Sequence, residues 1–366
     1  VLGLYLLTMS VNLMMVYLSL EIVSIASYIF TLFEKDKKAS EGAIKYILFG
    51  AVASAIMLYG MSLLYGITGS LVYISPEFSR GLAAVKPVVS TIAIILSLAG
   101  FLFKLSLAPF HIWTPDVYQT APTPIVSFFS IAPKIGVFLV LMRFVESINI
   151  DIQYILIFIA IATITVGNFS AIWQQNTKRL LAYSSIAHAG FMLVGIIASS
   201  KAGSEAMFFY ITTYLFANFA AFYLIDLAES NSSEKNDFSS IELLKGLGLK
   251  NPFYGITMVF VMISLAGLPP TIGFIAKLNI FSSLWETAQR SNQTALTTLF
   301  IFGLMNTAVA LFYYLKIPYY LFFKKANSDS TFKLSLGQKI VLMLFILPLI
   351  ALMFSPNSLL DLINAL

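Results

Sequence analysis

The chain of 366 residues is 59% apolar and 11% charged, and it carries a net charge of +5, whereas soluble domains average about 45–50% apolar and about 25% charged residues. So little charge cannot coat a soluble globule, which excludes a soluble enzyme, a coiled coil and a disordered chain. The absence of cysteine also excludes disulfides, thiolate catalysis and cysteine-ligated zinc or iron–sulfur clusters.

Apolar segments follow one another along the whole chain, and most approach the roughly 20 residues that a helix needs to cross a bilayer. We therefore predict an all-α polytopic membrane protein with about eleven transmembrane helices, two of them interrupted. The segments cover residues 1–10, 12–33, 42–68, 87–112, 122–146, 151–173, 179–200, 204–227, 252–286, 295–323 and 337–356.

Lysine and arginine are distributed unequally between alternate connections. One set of connections holds eleven and the other five, which predicts that the first set faces the cytoplasm or its organellar equivalent. The basic residues form no stripe alternating with aromatic residues, so the lipid bilayer and not nucleic acid is the expected partner. The first set is Lys35, Lys37, Lys38, Lys178, Arg179, Lys235, Lys245, Lys250, Lys324, Lys325 and Lys333.

A four-residue sequence that occurs twice indicates an internal repeat. Ser97–Gly100 and Ser264–Gly267 share one sequence, and each copy is followed by a lysine and by proline. The copies fall on segments five apart, so the second crosses the membrane in the opposite sense, as in inverted-repeat transporters. We predict one membrane domain over 1–366, with repeat one at about 1–146, repeat two at about 151–323 and a final helix at about 337–356.

Four ionisable residues lie deep inside apolar segments: Glu21, Lys104, Lys134 and Lys277. Each charge at a helix centre opposes insertion by about 2.5–3.5 kcal/mol, so pairing or water must offset the cost. One carboxylate cannot pair with three lysines. Because burial favours the neutral form of a lysine and a nearby carboxylate favours the charged form, a row of such groups is able to pass protons.

Prolines lie close to two of these lysines. Pro109 follows Lys104 by five residues, and Pro269-Pro270 precedes Lys277 by seven. Each proline removes a backbone donor, so both helices are predicted to be interrupted where freed carbonyls face protein or water. A simple kink is the alternative interpretation.

Two further residues, His111 and Lys45, are weaker candidates. His111 would share a helical face with Lys104 if that helix continued, and would pass protons outward or simply hydrogen-bond to a neighbour. Lys45, four residues after Glu41, is either a site residue or an interfacial anchor. His188 is interpreted as a packing residue, and no residue set is predicted to bind a metal or cofactor.

Three stretches resemble the antiporter-like membrane subunits of respiratory complex I, the NADH-quinone oxidoreductase: Phe103–Pro124, Asn176–His188 and Ser264–Lys277. The resemblance extends over essentially the whole chain. Within the first stretch, Asp116-Val117-Tyr118-Gln119 is similar to the subunit N branch, whereas larger paralogues and multisubunit cation/proton antiporters usually carry Asp-Ala-His.

The resemblance implies roles for the buried charges. Glu21 and Lys104 match the Glu–Lys pair of the family's fifth and seventh helices, Lys134 the central lysine of the eighth, and Lys277 the terminal lysine of the broken twelfth. Members usually have fourteen helices, so this chain corresponds to helices four to fourteen. We expect an incomplete sequence, and the alternative is a natural absence of the first three helices, as in some mitochondrial members. The expected location is the bacterial inner membrane, or alternatively an organellar one.

The resemblance also implies a translocase subunit that works without a cofactor of its own. NADH, FMN, iron–sulfur clusters and quinone are expected in partner subunits, which include paralogous antiporter-like subunits. Energy would arrive as a change at Glu21, and protons would move from Lys104 to Lys134 and on to Lys277. The alternatives are a subunit of a multisubunit sodium/proton antiporter and a scaffold whose charges have no transport role.

Overall fold

A computed structural model describes residues 1–148, 150–231, 239–325 and 332–364. Contacts divide the chain into two compact units, Val1–Thr163 and Ile164–Leu366. The first unit holds α1 (Leu2–Met9), α2 (Leu13–Thr31), α3 (Lys37–Thr68), α4 (Pro76–Ala84), α5 (Pro87–Leu105), α6 (Trp113–Thr120), α7 (Thr123–Phe129) and α8 (Ala132–Ser147).

The division between the units falls within α9 (Gln153–Ile172). The second unit continues with α10 (Thr177–Ile197), α11 (Lys201–Ser230), α12 (Leu247–Lys250), α13 (Pro252–Ala266), α14 (Ile272–Ser291), α15 (Thr294–Phe323), α16 (Leu336–Phe354) and α17 (Pro356–Asn364). A 3-10 turn, Ile241–Leu244, precedes α12.

Every predicted apolar segment contains a helix. Within the described ranges, nine helical spans are long and apolar enough to cross a membrane, when α7 and α8 are counted as one span. The shorter α1 and the α13–α14 pair account for the remaining two segments. The prediction of an all-α polytopic membrane fold is therefore confirmed.

Boundaries within three segments differ from the prediction. The segment 87–112 is helical only as far as Leu105, and a turn leads from there to α6. The segment 252–286 is divided between Ala266 and Ile272. The segment 122–146, predicted as continuous, is also interrupted at Ser130 and Ile131, because Pro133 lies in the first turn of α8 and cannot continue α7.

The first unit packs through small residues. α3 lies against α5, and a Cβ at Gly60 would come within 2.6 Å of the Leu96 carbonyl carbon. Gly100 likewise faces the side chain of Met57. Glycine at these positions lets the two helix backbones approach closely, as is common between membrane helices.

The interruptions after α5 and α13 have the same local geometry. Ser106 and Gly267 follow the two helices with φ angles of 61° and 77°. The amide of Leu107 donates to Leu102 O at 2.8 Å, and that of Leu268 donates to Ile263 O at 3.2 Å. Each helix therefore ends in a Schellman motif.

The repeated four-residue sequence does not lie at equivalent positions relative to the two breaks. Ser106 corresponds to Gly267, so Ser97–Gly100 lies well before its break while Ser264–Gly267 forms part of the other. The two copies of the four-residue sequence therefore have different structural roles. The first copy packs on α3, and the second closes the end of α13.

Candidate functional site

Glu21 lies on α2, beside an open face of the first unit. Its side chain is half-buried, and the hydroxyl of Ser54 on α3 donates to its carboxylate. Leu18, Ile22 and Ile25 on the same helix are 46%, 43% and 55% exposed. The carboxylate is therefore located between the interior of the unit and a surface suited to lipid or to another membrane chain.

Lys104 is buried at the end of α5, with 3% of its surface exposed. Its ammonium donates to Ser24 Oγ at 3.2 Å and to the Tyr46 hydroxyl at 3.3 Å. In the part of the chain that the structure describes, no ion pair within 4.0 Å joins it to Glu21. The hydroxyl of Ser24, three residues after Glu21, accepts the hydrogen bond of the ammonium instead of the Glu21 carboxylate.

An aromatic wall fixes the end of α5. The ring of Tyr46 stacks on that of Trp113 with centroids 4.2 Å apart, and Trp113 Nε1 donates to Phe103 O at 3.0 Å. The break itself is held by the amide of Ala108, which donates to Thr163 Oγ1 at 2.9 Å. Backbone groups freed by the interruption thus have polar partners, as burial in a membrane protein requires.

His111 lies beyond the break. Because α5 ends at Leu105, no continuous helical face aligns His111 with Lys104, and its role in passing protons stays a prediction. Among the described residues, its buried Nδ1 has no hydrogen-bond partner.

Lys45 binds the second half of the broken helix. Its ammonium lies 2.8 Å from Glu41 and 3.0 Å from Asp116, and its side chain is 40% exposed. Glu41 belongs to α3, as Lys45 does, and Asp116 belongs to α6. This geometry matches the predicted i,i+4 anchor and adds a tie between two helices.

Lys134 is the third residue of α8 and has 3% of its surface exposed. It directly follows the interruption between α7 and α8. Hydropathy did not predict this interruption, although Pro133 next to the lysine was a usable signal. Lys104, Lys134 and Lys277 therefore each lie beside an interrupted helix.

Lys277 reaches back across the break of the second unit. It is 5% exposed, and its ammonium donates to Ala266 O at 2.7 Å. A Cβ on Gly267 would come within 2.6 Å of Lys277 Cδ. The ammonium also lies 5.1 Å from the centroid of the Phe191 ring, within the range of a cation–π contact. Glycine is needed here both for the positive φ and for the passage of the lysine.

His188 is the centre of a hydroxyl network and not a packing residue. Its two ring nitrogens lie 2.7 Å from the Tyr210 hydroxyl and 2.8 Å from the Tyr314 hydroxyl. Ser184 Oγ lies 2.5 Å from the same Tyr314 oxygen. Ser184, one turn before His188, was the available sequence signal, but the tyrosines come from helices distant in sequence.

A small cavity connects this network to Lys277. His188, Tyr210, Tyr214 and Lys277 all line it, and its volume is about 10 Å³. That volume is about the room of one water molecule. A single water would therefore be able to bridge the histidine network and the lysine.

These features define a class of protein: a polytopic membrane protein with buried lysines at interrupted helices. The model of the family described as NADH:quinone oxidoreductase/Mrp antiporter, transmembrane, matches residues 10–303. The chain belongs to this family, which confirms the family prediction.

Curated relatives are named as subunit N of NADH-quinone oxidoreductase. The chain is 37% identical to that of Chlorobium chlorochromatii, over 92% of this chain and 66% of the relative. It is 41% identical to a subunit N of Sorangium cellulosum, over 86% of this chain and 64% of the relative. The chain thus spans about two thirds of the length of these curated relatives.

Chains of three solved membrane complexes have a similar structure. A chain of respiratory complex I from Thermus thermophilus with bound aureothin is 33% identical, with a TM-score of 0.83 over 98% of this chain and 77% of that one. A chain of an archaeal membrane-bound sulfane sulfur reductase is 25% identical, with a TM-score of 0.87 over 99% and 72%. A chain of the Mrp complex from Dietzia is 18% identical and shows the shared fold, with a TM-score of 0.83 over 98% and 74%.

Proposed function

We propose that this chain is a proton-translocating membrane subunit of an NADH-quinone oxidoreductase, and that Glu21, Lys104, Lys134 and Lys277 carry the protons. The observation that carries the proposal is that three lysines, each no more than 5% exposed, lie beside breaks in membrane-spanning helices. Buried charges at such places are typical of ion pathways and costly elsewhere.

In the first unit, Glu21 controls the charge on Lys104. When Glu21 binds Ser54, Lys104 is left with the neutral acceptors Ser24 and Tyr46. These stabilise an ammonium less than a carboxylate does, so the lysine releases a proton more readily. Movement of Glu21 toward Lys104 reverses the effect. The observed arrangement corresponds to the releasing state, and Lys134 accepts the proton next.

In the second unit, Lys277 is the terminal group. Its ammonium is held by Ala266 O at the end of α13, where unsatisfied carbonyls favour positive charge. The one-water cavity lets the His188 network deliver a proton to it. Each ring nitrogen of His188 is able to donate or accept a hydrogen bond. One nitrogen therefore accepts a proton while the other releases one, and the net charge of the histidine is the same before and after the transfer.

Redox chemistry in this proposal belongs to other chains. NADH, FMN, iron–sulfur clusters and quinone are bound by partner subunits, and paralogous antiporter-like subunits lie beside this one in the membrane. The lack of cysteine in this sequence agrees with that division, since iron–sulfur clusters are held by cysteine thiolates. The proposed location is the bacterial inner membrane.

The proposal is tested with the assembled complex in sealed vesicles. Lys104→Ala and Lys277→Ala are each expected to abolish NADH-driven acidification of the vesicle interior, measured with a pH-sensitive dye. Lys201→Ala is the matched control, because Lys201 is also a lysine in a membrane helix but its side chain is 82% exposed. Assembly is checked by the rate of NADH oxidation by a soluble electron acceptor.

Two results would reject the proposal. Unchanged pumping in both variants would assign the lysines a structural role only. Sodium-dependent transport in the absence of NADH would instead identify a sodium/proton antiporter subunit.

A further inference from the structure

A charged cluster at one end of α10 and α11 takes no part in the mechanism above. Lys178, the second residue of α10, is 5% exposed and lies 3.9 Å from Glu229 near the end of α11. Asp226 lies one turn before Glu229 and is half-buried. Buried charges of this kind stabilise a fold little, because desolvation offsets their attraction. A role in function is the better explanation.

Ser239, which precedes the 3-10 turn at Ile241–Leu244, lies against this cluster. Ser239 donates to the Glu229 carboxylate, and Ser239 O accepts from the amide and hydroxyl of Thr177 at 2.7 and 2.8 Å. Thr177 begins α10, whose first residues include Lys178 and Arg179. The distribution of basic residues predicts that this end faces the cytoplasm, and under the proposed function this is the side from which protons are taken up.

One row of side chains leads from the cluster into the membrane. Residues four apart on a helix lie one above another, and on α11 such a row runs through Asp226, Phe222, Asn218, Tyr214 and Tyr210. Tyr210 hydrogen-bonds to His188, and both tyrosines line the cavity that reaches Lys277. The row therefore connects the charged cluster with the proposed terminal lysine.

A single apolar side chain interrupts the polar row. Phe222 is fully buried and Asn218 is 1% exposed. Asp226 and Asn218 are eight residues apart, which places them about 12 Å apart along the helix axis. No direct hydrogen bond spans that distance, so proton transfer requires water at the level of Phe222. A large apolar ring is the kind of side chain that keeps water out.

We propose that Asp226 and Glu229, positioned by Lys178, form the proton-loading site of the second unit, and that Phe222 is the barrier between this site and the His188 network. The inference rests on the proposed function and extends it. A carboxylate takes one proton from bulk water and becomes a neutral acid. When Phe222 moves, the acid gives that proton to an entering water, and the carboxylate is restored.

Passive leakage tests the barrier without any redox reaction. Vesicles containing the assembled complex are given an imposed pH gradient in the absence of NADH, and its decay is followed. Phe222→Ala should speed the decay by about tenfold, the effect of lowering a barrier modestly. Phe219→Ala is the matched control, since Phe219 lies on the same helix but stacks on Phe345. Equal leakage in the two variants would overturn the barrier.

The loading site is tested in the same vesicles. Asp226→Asn combined with Glu229→Gln should lower NADH-driven pumping by about tenfold while electron transfer continues uncoupled. The same pair added to Phe222→Ala should remove the leak, which a mere packing defect would not. Pumping at the original rate, or a persistent leak, would overturn the loading site. If Lys277→Ala pumps normally, the proposed function fails instead, and the leak assay is unaffected by that outcome.

Discussion

The breaks after α5 and α13 have the same backbone motif, but their lysines are placed differently. Lys104 precedes its break by two residues, whereas Lys277 follows its break by ten. Lys104 donates to the hydroxyls of Ser24 and Tyr46, and Lys277 donates to a backbone carbonyl. A hydroxyl is both donor and acceptor, but a carbonyl only accepts.

Because of these different partners, the same backbone motif is able to support two different steps. The hydroxyls around Lys104 are able to accept a proton and pass another on, so that lysine suits a transfer step. Ala266 O stabilises the charged form of Lys277 and offers no onward route of its own. Its exchange partner must therefore be water, for which the adjacent cavity has room.

The largest effect is expected from Gly267→Ala. The residue has a φ angle of 77°, and the new methyl group would collide with the Lys277 side chain. Backbone strain alone costs about 1–3 kcal/mol, and displacement of the lysine should also stop pumping. Thermal unfolding of the assembled complex and NADH-driven pumping are the measurements.

Ser106→Gly is the matched variant at the other break. Glycine relieves the positive φ of 61° but removes the hydroxyl that accepts from Thr114 Oγ1 at 2.8 Å. Relief of the positive φ stabilises by about 1 kcal/mol, and loss of the hydrogen bond destabilises by about 1 kcal/mol. The free energy of unfolding is therefore expected to stay nearly unchanged. A loss as large as that of Gly267→Ala would show that the two breaks are energetically alike.

Tyr46→Phe should lower pumping roughly tenfold, because a hydrogen bond to a buried ammonium contributes about 1.5–3 kcal/mol. Tyr73→Phe is the control. Its hydroxyl is equally buried but donates to Ser10 O at 2.9 Å, away from the lysine. Pumping is measured relative to NADH oxidation in sealed vesicles. Equal pumping by the two variants would remove Tyr46 from the transfer step.

Trp113→Phe should cost about 1 kcal/mol, the usual worth of one neutral hydrogen bond, because Phe103 O then loses its indole donor at 3.0 Å. The stacking on Tyr46 is largely kept. The unfolding midpoint of the complex in detergent measures the effect. A midpoint equal to that of the unsubstituted complex would show that another group compensates.

A small effect is expected from Lys45→Met. The ion pairs of Lys45 with Glu41 and Asp116 are partly exposed, and such pairs contribute about 0–1 kcal/mol. Pumping should remain within twofold of the original rate, about 0.4 kcal/mol in barrier height. A complete loss of pumping would instead place Lys45 in the proton pathway, as the first interpretation of the sequence allowed.

Much of the site follows from local sequence. Lys104, Lys134 and Lys277 stand out because no other charge lies near them in the apolar segments, and Pro109 and Pro269-Pro270 mark two breaks. His111 does not share a helical face with Lys104, because α5 ends at Leu105. The interruption at Ser130 was missed because hydropathy is the same on both sides of it.

The amino-acid sequence by itself determined the membrane class, the depth of the charges and the presence of the two proline-marked breaks, because hydropathy and backbone restriction are properties of neighbouring residues. Only the tertiary structure decided the partners. Lys104 meets Ser24 and Tyr46 from 80 and 58 residues away, and His188 meets Tyr314 from 126 away. Such pairs form when helices pack, and no local pattern encodes them.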